Sequence, residues 1–317
     1  MDTHQFMNRP TLSIIILSYN TKDITLDAIK SVEKHYPEEV ASGDYEVIVT
    51  DNASTDGSFE AFKEYKKKTK IKTFHPVDNG GNIGFAAGNN KGLPYAKGDY
   101  ILFLNPDTIV YEKTLTHMIA FMKEHPEVGV SSCKLMNKDG KMDFNCHRGF
   151  PTPWNAFTFF SGLQRMFPKS KLFAGYTQGW KDFSTTHEVD AVEGAFMLMP
   201  REVGEKVGWW DEDYFFYGED IQFCYDIKKL GYKVFYVGEV SIMHIGGASS
   251  GIKPKSQNVT TANVEGKKRV QGWRFDAMRL FYKKNYKDKY PFFVYWAINV
   301  AIKHMHKKAL SRLKVAN

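Results

Sequence analysis

Between Lys97-Gly98 and Asn105-Pro106-Asp107 the chain carries five apolar or aromatic residues in a row, Tyr100 to Leu104, with no polar alternation. A strand with one wet face alternates. An unbroken run is how a strand buried on both faces of a mostly parallel sheet reads. Lys97-Gly98 is a turn signal before it, and Pro106, which has no N–H for a ladder, ends it. An oxygen-rich cluster is thereby left at the carboxyl end of a central strand, where open α/β sheets place their ligands. One carboxylate beside one amide oxygen suits a hard divalent cation already bound to phosphates. The same residues also suit a plain strand-to-helix turn, with Asp107 capping a helix that starts near Glu112.

The rest of the first half repeats the grammar of a doubly wound sheet. Thr11 to Ser18 is β-branched and apolar, a buried strand, followed by Tyr19-Asn20-Thr21 and a helix marked by Ile24, Ala28 and Val32. Tyr45 to Thr50 is a second strand, running into Asp51-Asn-Ala-Ser-Thr-Asp-Gly-Ser58 and a helix from about Phe59 to Lys68. Right-handed crossovers put both polar loops at one sheet edge. Residues 78–92 hold glycines and asparagines that cannot form a packed strand. Gly80, Gly81 and Gly84 allow positive φ and close backbone approach. A helix after them can seat anionic or polar groups at its amino end, although a surface loop with turn glycines reads the same way. Leu115 to Glu124 is an amphipathic helix and Val128 to Leu135 a strand. Asp143 to His187 is aromatic and irregular, read as a partly ordered wall over the site. A strand at Val189 to Pro200 precedes the segment 208–220, rich in acids and aromatics. Trp209, Trp210 and Phe216 there are candidates for stacking on a ligand's ring or for plain core packing. A helix from Ile221, a strand from Tyr232 to Val237 and Ser241 to Gly247 follow.

The net charge of +7 hides an asymmetry. Lys253 to Asn317 carries 16 Lys/Arg against 3 Asp/Glu, so a mildly acidic domain bears a strongly basic tail. An anionic surface is the expected partner of such a tail. Its helices are expected at Gln271 to Lys284 and Pro291 to about Leu313. Aromatics there cluster with aliphatics rather than standing as separate stacking platforms, which favours a membrane surface over nucleic acid. The apolar run Phe292 to Ile302 falls short of the ~20 residues that span a bilayer. Packing of this helix on the domain core is the alternative. Cys133, Cys146 and Cys224 show neither metal nor disulfide spacing, and Met1 to Pro10 has no apolar core, so a cytoplasmic setting is expected.

Asp107, the Glu219-Asp220 pair and His244 each lie where a strand or aromatic segment breaks into polar residues. A metal on Asp107 and His244 would carry a diphosphate, and a carboxylate across the pocket would take a proton from an incoming hydroxyl. In order along the chain come Ile14-Ile-Ile-Leu-Ser-Tyr-Asn20, Val49-Thr-Asp-Asn-Ala-Ser-Thr-Asp-Gly-Ser58, Asn82-Ile-Gly-Phe-Ala-Ala-Gly-Asn-Asn-Lys-Gly92, Leu104-Asn-Pro-Asp107, Gly194-Ala-Phe-Met, Tyr217-Gly-Glu-Asp220 and His244. This set resembles glycosyltransferase family 2, the inverting GT-A fold enzymes, in particular its rhamnosyltransferase-like branch, over roughly Leu12 to Ser250.

The resemblance implies a metal-dependent enzyme using Mg²⁺ or Mn²⁺ and a nucleoside-diphosphate sugar. Ser18, Tyr19, Asn20 and Asp51 would line the base and ribose pocket. Asn82, Gly84 and Asn90 would shape the nucleotide-sugar site. Asn105-Pro106-Asp107 stands where the family has its Asp-x-Asp motif, with Asp107 and His244 as ligands. Asp220 would be the general base, with Glu219 beside it contacting sugar. Two positions depart from the pattern: Asn105 replaces the first acid, and Gln222 stands where this branch usually has Asp. The expected architecture is a Rossmann-like GT-A domain over residues 1–250, with a central mostly parallel sheet and helices on both faces. A basic, aromatic helical extension over 251–317 follows. The expected acceptor is a glycan or polyprenyl-linked glycan, reached from the inner face of the membrane through residues 271–317, with no nucleic-acid partner. A non-catalytic sugar-nucleotide or glycan-binding module is the alternative.

Overall fold

The computed structural model describes residues 9–246 and 264–315. The expected domain boundary at residues 250 and 251 lies outside them. The first half alternates as the sequence requires: β1 (Leu12–Ser18), α1 (Lys22–His35), α2 (Pro37–Ser42), β2 (Tyr45–Asp51), α3 (Ser58–Lys66), β3 (Phe74–Asp78), α4 (Phe85–Asn90) and β4 (Tyr100–Leu104). Every residue of β1 and β2 is buried, which is why their sequences do not alternate. Ala28, Ile29 and Val32 form the buried stripe of α1.

After Asp107 the structure departs from expectation. Thr108–Val110 is a short strand, β5, and α5 (Thr114–Glu124) starts only after Lys113, whose φ is 67°. Asp107 therefore caps no helix. β6 (Val128–Met136) leads into the aromatic stretch, which is more ordered than its composition implied. It contains β7 (His147–Arg148), α6 (Pro153–Ser161) and α7 (Leu163–Met166), and it runs into β8 (His187–Val189). β9 (Ala191–Val192), β10 (Phe196–Pro200), α8 (Arg201–Val207) and α9 (Glu219–Lys229) follow. The two expected pieces at Tyr232 to Val237 and Ser241 to Gly247 are one strand, β11 (Lys233–His244), with a register shift between Val237 and Ser241.

Among the described residues nine strands form one sheet in the order β3-β2-β1-β4-β10-β6-β11-β5, with β8 also on β11. β1 to β4, β6 and β11 run one way; β5, β8 and β10 run against them. The carboxyl ends of β1, β2, β4, β6 and β11 thus share an edge with the amino end of β10. The extension forms α10 (Val264–Asn285) and α11 (Phe292–Val315). α10 docks on α9: Asn285 Nδ2 donates to Gln222 Oε1 (2.7 Å), and Lys284 pairs with Asp211 (2.5 Å) and Asp213 (2.6 Å). Phe275, Phe281, Tyr282, Tyr286 and Ile302 make a second apolar cluster that touches Phe150, Ile221 and Tyr225. Packing on the domain is therefore what α10 does. No described helix is long and apolar enough to cross a membrane.

At the far edge the buried carboxylate of Glu46 accepts from Ser13 Oγ (2.6 Å) and from the backbone N–H groups of Lys97 and Gly98. A buried charge is tolerable only when so satisfied. The turn before β4 must therefore lie almost on β1. A Cβ on Gly98 would sit 2.6 Å from Ser13 N and 2.8 Å from Leu12 C, both backbone atoms. Gly98→Ala is expected to lower unfolding free energy by about 1–3 kcal/mol, the usual effect of overpacking. Urea titration of the variant beside wild type checks this, and an unchanged midpoint would show that the turn is free to retreat.

Candidate active site

The broken strand end is where the sequence placed it. Asn105 N–H donates to Ala195 O (3.0 Å) and Asn105 O accepts from Thr108 Oγ1 (2.7 Å), so the turn is fixed by backbone on both sides. Asp107 and His244 come together: His244 Nε2 lies 3.4 Å from Asp107 Oδ1, and both residues are buried. The cause is pairing of β5 with the end of β11, His244 standing opposite Thr108.

Two further carboxylates lie near His244. Asp143, Glu193 and His244 each bring a ligand atom to within 4.8 Å of the others. Asp143 lies beyond the end of β6, its N–H donating to Leu135 O (2.8 Å). Glu193 lies between β9 and β10, with its N–H on Cys146 O (3.1 Å). These two carboxylates and one imidazole, with the Asp107 carboxylate against the same imidazole, form a mostly hard, oxygen-rich donor set, which suits Mg²⁺ or Mn²⁺. The residues present thus fit such an ion.

The acid pair occupies the first turn of α9, which starts two residues before the expected Ile221. Asp220 Oδ2 accepts from Arg148 Nη2 at 2.6 Å and from Gly194 N–H at 3.2 Å, and Oδ1 from Ile221 N–H at 2.8 Å. Arg148 reaches it because β7 pairs with β9, Arg148 opposite Ala191. Burial opposes the guanidinium's charge, but the Asp220 carboxylate beside it raises its pKa further still. Glu219 has a different setting. Its Oε2 is buried with no hydrogen-bond partner among the described residues. Burial first, and the Asp220 charge second, push its pKa up to about 8.

The model of the family described as Glycosyl transferase family 2 matches residues 13–183. The chain belongs to that family. A low-salt glycan biosynthesis hexosyltransferase of Haloferax volcanii is 25% identical over 237 residues, 74% of this chain and 66% of that protein. A poly(ribitol-phosphate) β-glucosyltransferase of Bacillus spizizenii is 34% identical over 116 residues, 36% of this chain and 17% of the relative. Among solved structures, the Pyrobaculum calidifontis mannosyltransferase PcManGT, in complex with GDP-Man and Mn²⁺, superposes with a TM-score of 0.57 at 17% identity. That match covers 98% of this chain and 74% of the other. Staphylococcus aureus TarS 1–349 gives 0.52 at 15% identity, over 96% and 82%. These likenesses establish the GT-A fold. The rhamnosyltransferase-like branch is not distinguished by them.

At the first two strand ends of this family-2 domain, the expected donor residues hold the loops to one another. Ser18 Oγ, buried, shares hydroxyl contacts with Thr21 (3.3 Å) and Thr25 (3.2 Å). Asn20 N–H donates to Ser54 Oγ (2.8 Å) and Asn20 Oδ1 accepts from Thr55 N–H (2.7 Å). Asp51, opposite Ser18 in the ladder, accepts from Ser54 N–H (2.8 Å) and Oγ (2.6 Å). Burial raises the Asp51 pKa and those bonds resist the shift. Tyr19 stays exposed beside them. Asn82 Oδ1 accepts from Gly84 N–H (3.2 Å). Gly84 has φ 93°, and a Cβ there would meet Phe215 O at 2.6 Å. The 82–84 loop thus lies against the segment that leads to Glu219.

Asn90 bonds to the same segment. Its Nδ2 donates to Trp210 O and Glu212 Oε1, and its Oδ1 accepts from Trp210 N–H. Trp210 is a core residue, packed on Phe103 and Phe223 with ring centroids 5.0 Å away in each case. Trp209 likewise packs toward Phe103, so neither tryptophan is a sugar platform.

The sequence reading missed Asp143, Glu193 and Arg148 as site residues. Glu193 immediately precedes the quoted Gly194-Ala-Phe-Met motif, which is the one signal that could have found it.

Glu219 ties stability to pH. Its folded pKa lies above its unfolded value, so folding takes up a proton between about pH 4.5 and 8, and stability falls as pH rises through that window. Glu219→Gln removes the dependence. The variant should gain on wild type in chemical unfolding between pH 5.5 and pH 8.5; parallel curves would mean that Glu219 ionises freely.

Proposed function

We propose that this chain is an inverting glycosyltransferase. It moves a sugar from a nucleoside-diphosphate donor to a hydroxyl of a glycan or polyprenyl-linked glycan, in the synthesis of a cell-surface polysaccharide. One observation carries the reading: Glu193 belongs to the metal-ligand group and its neighbour Gly194 holds Asp220. Transfer needs a place for leaving-group charge and a base for the incoming hydroxyl, and two consecutive residues join such places here. The hexosyltransferase relative and the nucleotide-sugar complexes of similar fold support it. Rhamnose from a dTDP donor is the favoured sugar on the motif resemblance, with UDP-linked sugars next.

Asp107, Asp143, Glu193 and His244 would hold Mg²⁺ or Mn²⁺. Bound there, the ion offsets charge developing on the leaving diphosphate. The 18–20, 51–54 and 82–84 loops receive the nucleotide. Asp220 accepts the acceptor's proton, held in one orientation by Arg148 and Gly194. The basic extension keeps the enzyme at the inner face of the cell membrane, its α11 carrying exposed Phe292, Phe293 and Trp296.

A second assignment within the same reading has its own observation. Both Asp220 oxygens already accept hydrogen bonds, whereas Glu219 has an oxygen free of them and the raised pKa of a stronger base. If Glu219 takes the proton, transfer rises with pH until about 8.

With Asp220 as base, Asp220→Asn should lower transfer by roughly 10²–10⁴ with donor affinity little changed, while Glu219→Gln loses less. Loss confined to Glu219→Gln reverses the two roles. Full transfer in both variants removes this segment from the chemistry. Independently, EDTA should abolish donor binding by calorimetry, restored by Mn²⁺; donor binding that survives EDTA would remove the metal role of the four ligands.

A further inference from the structure

Residues 144–181 contain no Asp or Glu, yet five Lys/Arg: Arg148, Arg165, Lys169, Lys171 and Lys181. Arg148 is committed to Asp220, and Lys181 to the Glu188 carbonyl. Arg165, Lys169 and Lys171 are left exposed on the surface. Within the same stretch several large apolar side chains are exposed. Trp154, Phe157, Phe160, Met166, Phe167 and Leu172 are between 46% and 71% exposed. A water-facing helix normally buries its apolar stripe, and large exposed apolar patches mark interaction surfaces.

The patch is continuous. α6 carries no charged residue, and Trp154, Phe157 and Phe160 recur every third position along it, which sets them on one side of a short helix. Ring contacts extend the patch from Phe157 to Trp154 (5.7 Å), Trp154 to Phe173 (6.3 Å) and Phe173 to Phe167 (5.3 Å). The Trp154 indole N–H is satisfied inside the segment by Leu172 O at 2.8 Å. Its ring can therefore enter an apolar medium without stranding a donor.

We infer that α6 and α7 dock on an anionic lipid surface. The aromatic stripe seats at headgroup depth, and Arg165, Lys169 and Lys171 face the lipid phosphates. Charge selects this occupant. A second copy's patch has no Asp or Glu to offer Arg165, Lys169 and Lys171, whereas anionic headgroups neutralise them. α6 has nine residues, far too few to span, so it lies in the interface plane. The inference stands on this surface alone; it requires neither the transfer reaction nor the extension.

The full chain should float with mixed phosphatidylcholine and phosphatidylglycerol vesicles. Because Cys133, Cys146 and Cys224 are all buried, a single NBD dye can be placed at Phe157→Cys. Its emission should shift to the blue and brighten on anionic vesicles but not on phosphatidylcholine alone. The combined variant Trp154→Ser, Phe157→Ser, Phe160→Ser should weaken flotation roughly tenfold or more at unchanged Tm. Lys169→Glu with Lys171→Glu should weaken it comparably, and added salt should weaken wild type. Three results overturn the inference. One is absence of flotation by wild type. Another is an unshifted dye while Phe292→Ser with Trp296→Ser abolishes binding, which assigns the contact to α11 alone. The third is a dimer in sedimentation that the triple serine variant dissociates while vesicle binding persists, which makes the patch a self-interface.

Discussion

Because β10 runs against both β4 and β6, its first residue rather than its last lies at the carboxyl edge of the parallel strands. The Glu193-Gly194 turn that enters β10 therefore arrives beside the ends of β4, β6 and β11. Had β10 been parallel, that turn would lie at the opposite edge, a strand length away. With the reversal, Glu193 meets Asp143 and His244, and Gly194 offers its N–H to Asp220. The same geometry limits Gly194 itself: a Cβ there would stand 3.5 Å from Asp220 Cβ, in ordinary contact and no more. One strand direction thus joins ligands and carboxylates drawn from four separate stretches of sequence.

The Arg148–Asp220 pair has to be judged against its desolvation. Buried ion pairs often contribute little net stability, because taking both charges out of water offsets their attraction. What the pair does supply is orientation, since Arg148 comes from the small β7–β9 ladder and Asp220 from α9. Removing the arginine alone leaves a buried carboxylate with backbone partners only, the costly case. Glu219, its neighbour in the chain, meets burial differently: desolvation first and the Asp220 charge second raise its pKa. Two adjacent acids thereby have different surroundings, Asp220 hydrogen-bonded on both oxygens and Glu219 buried with one oxygen unpartnered.

The strand from Tyr100 to Leu104 and its termination at Pro106 were legible because each is signalled locally, whereas the pairing of Asp107 with His244 was expected from the order of motifs and not from any local pattern. An unbroken apolar run, a proline and a polar break each mark themselves. β5 was not legible: three residues carry too little periodicity, and only pairing with β11 makes them a strand. Arg148 was hidden for another reason. A lone arginine in an aromatic stretch reads as surface, and nothing local says that it is the cation its acidic partner needs 72 residues later. What Asn90 contacts was equally hidden, since nothing local to a glycine-rich loop says that its amide bonds the backbone of Trp210, 120 residues later.

Aromatic content shows how little composition says without burial. The 15% of Phe, Trp and Tyr is divided between two physical uses. Phe103, Trp210 and Phe223 lie in the core, their rings filling the space between β4 and α9. The rings of α6 and its neighbours sit on a stretch from which acids are absent and in which exposed cations remain. Core packing gives no reason for the acids to be excluded; a negatively charged, apolar-edged surface gives one, because it would repel them and draw the cations. Two features that are each unremarkable alone, exposed rings and missing acids, coincide over the same residues, and a single physical cause accounts for both.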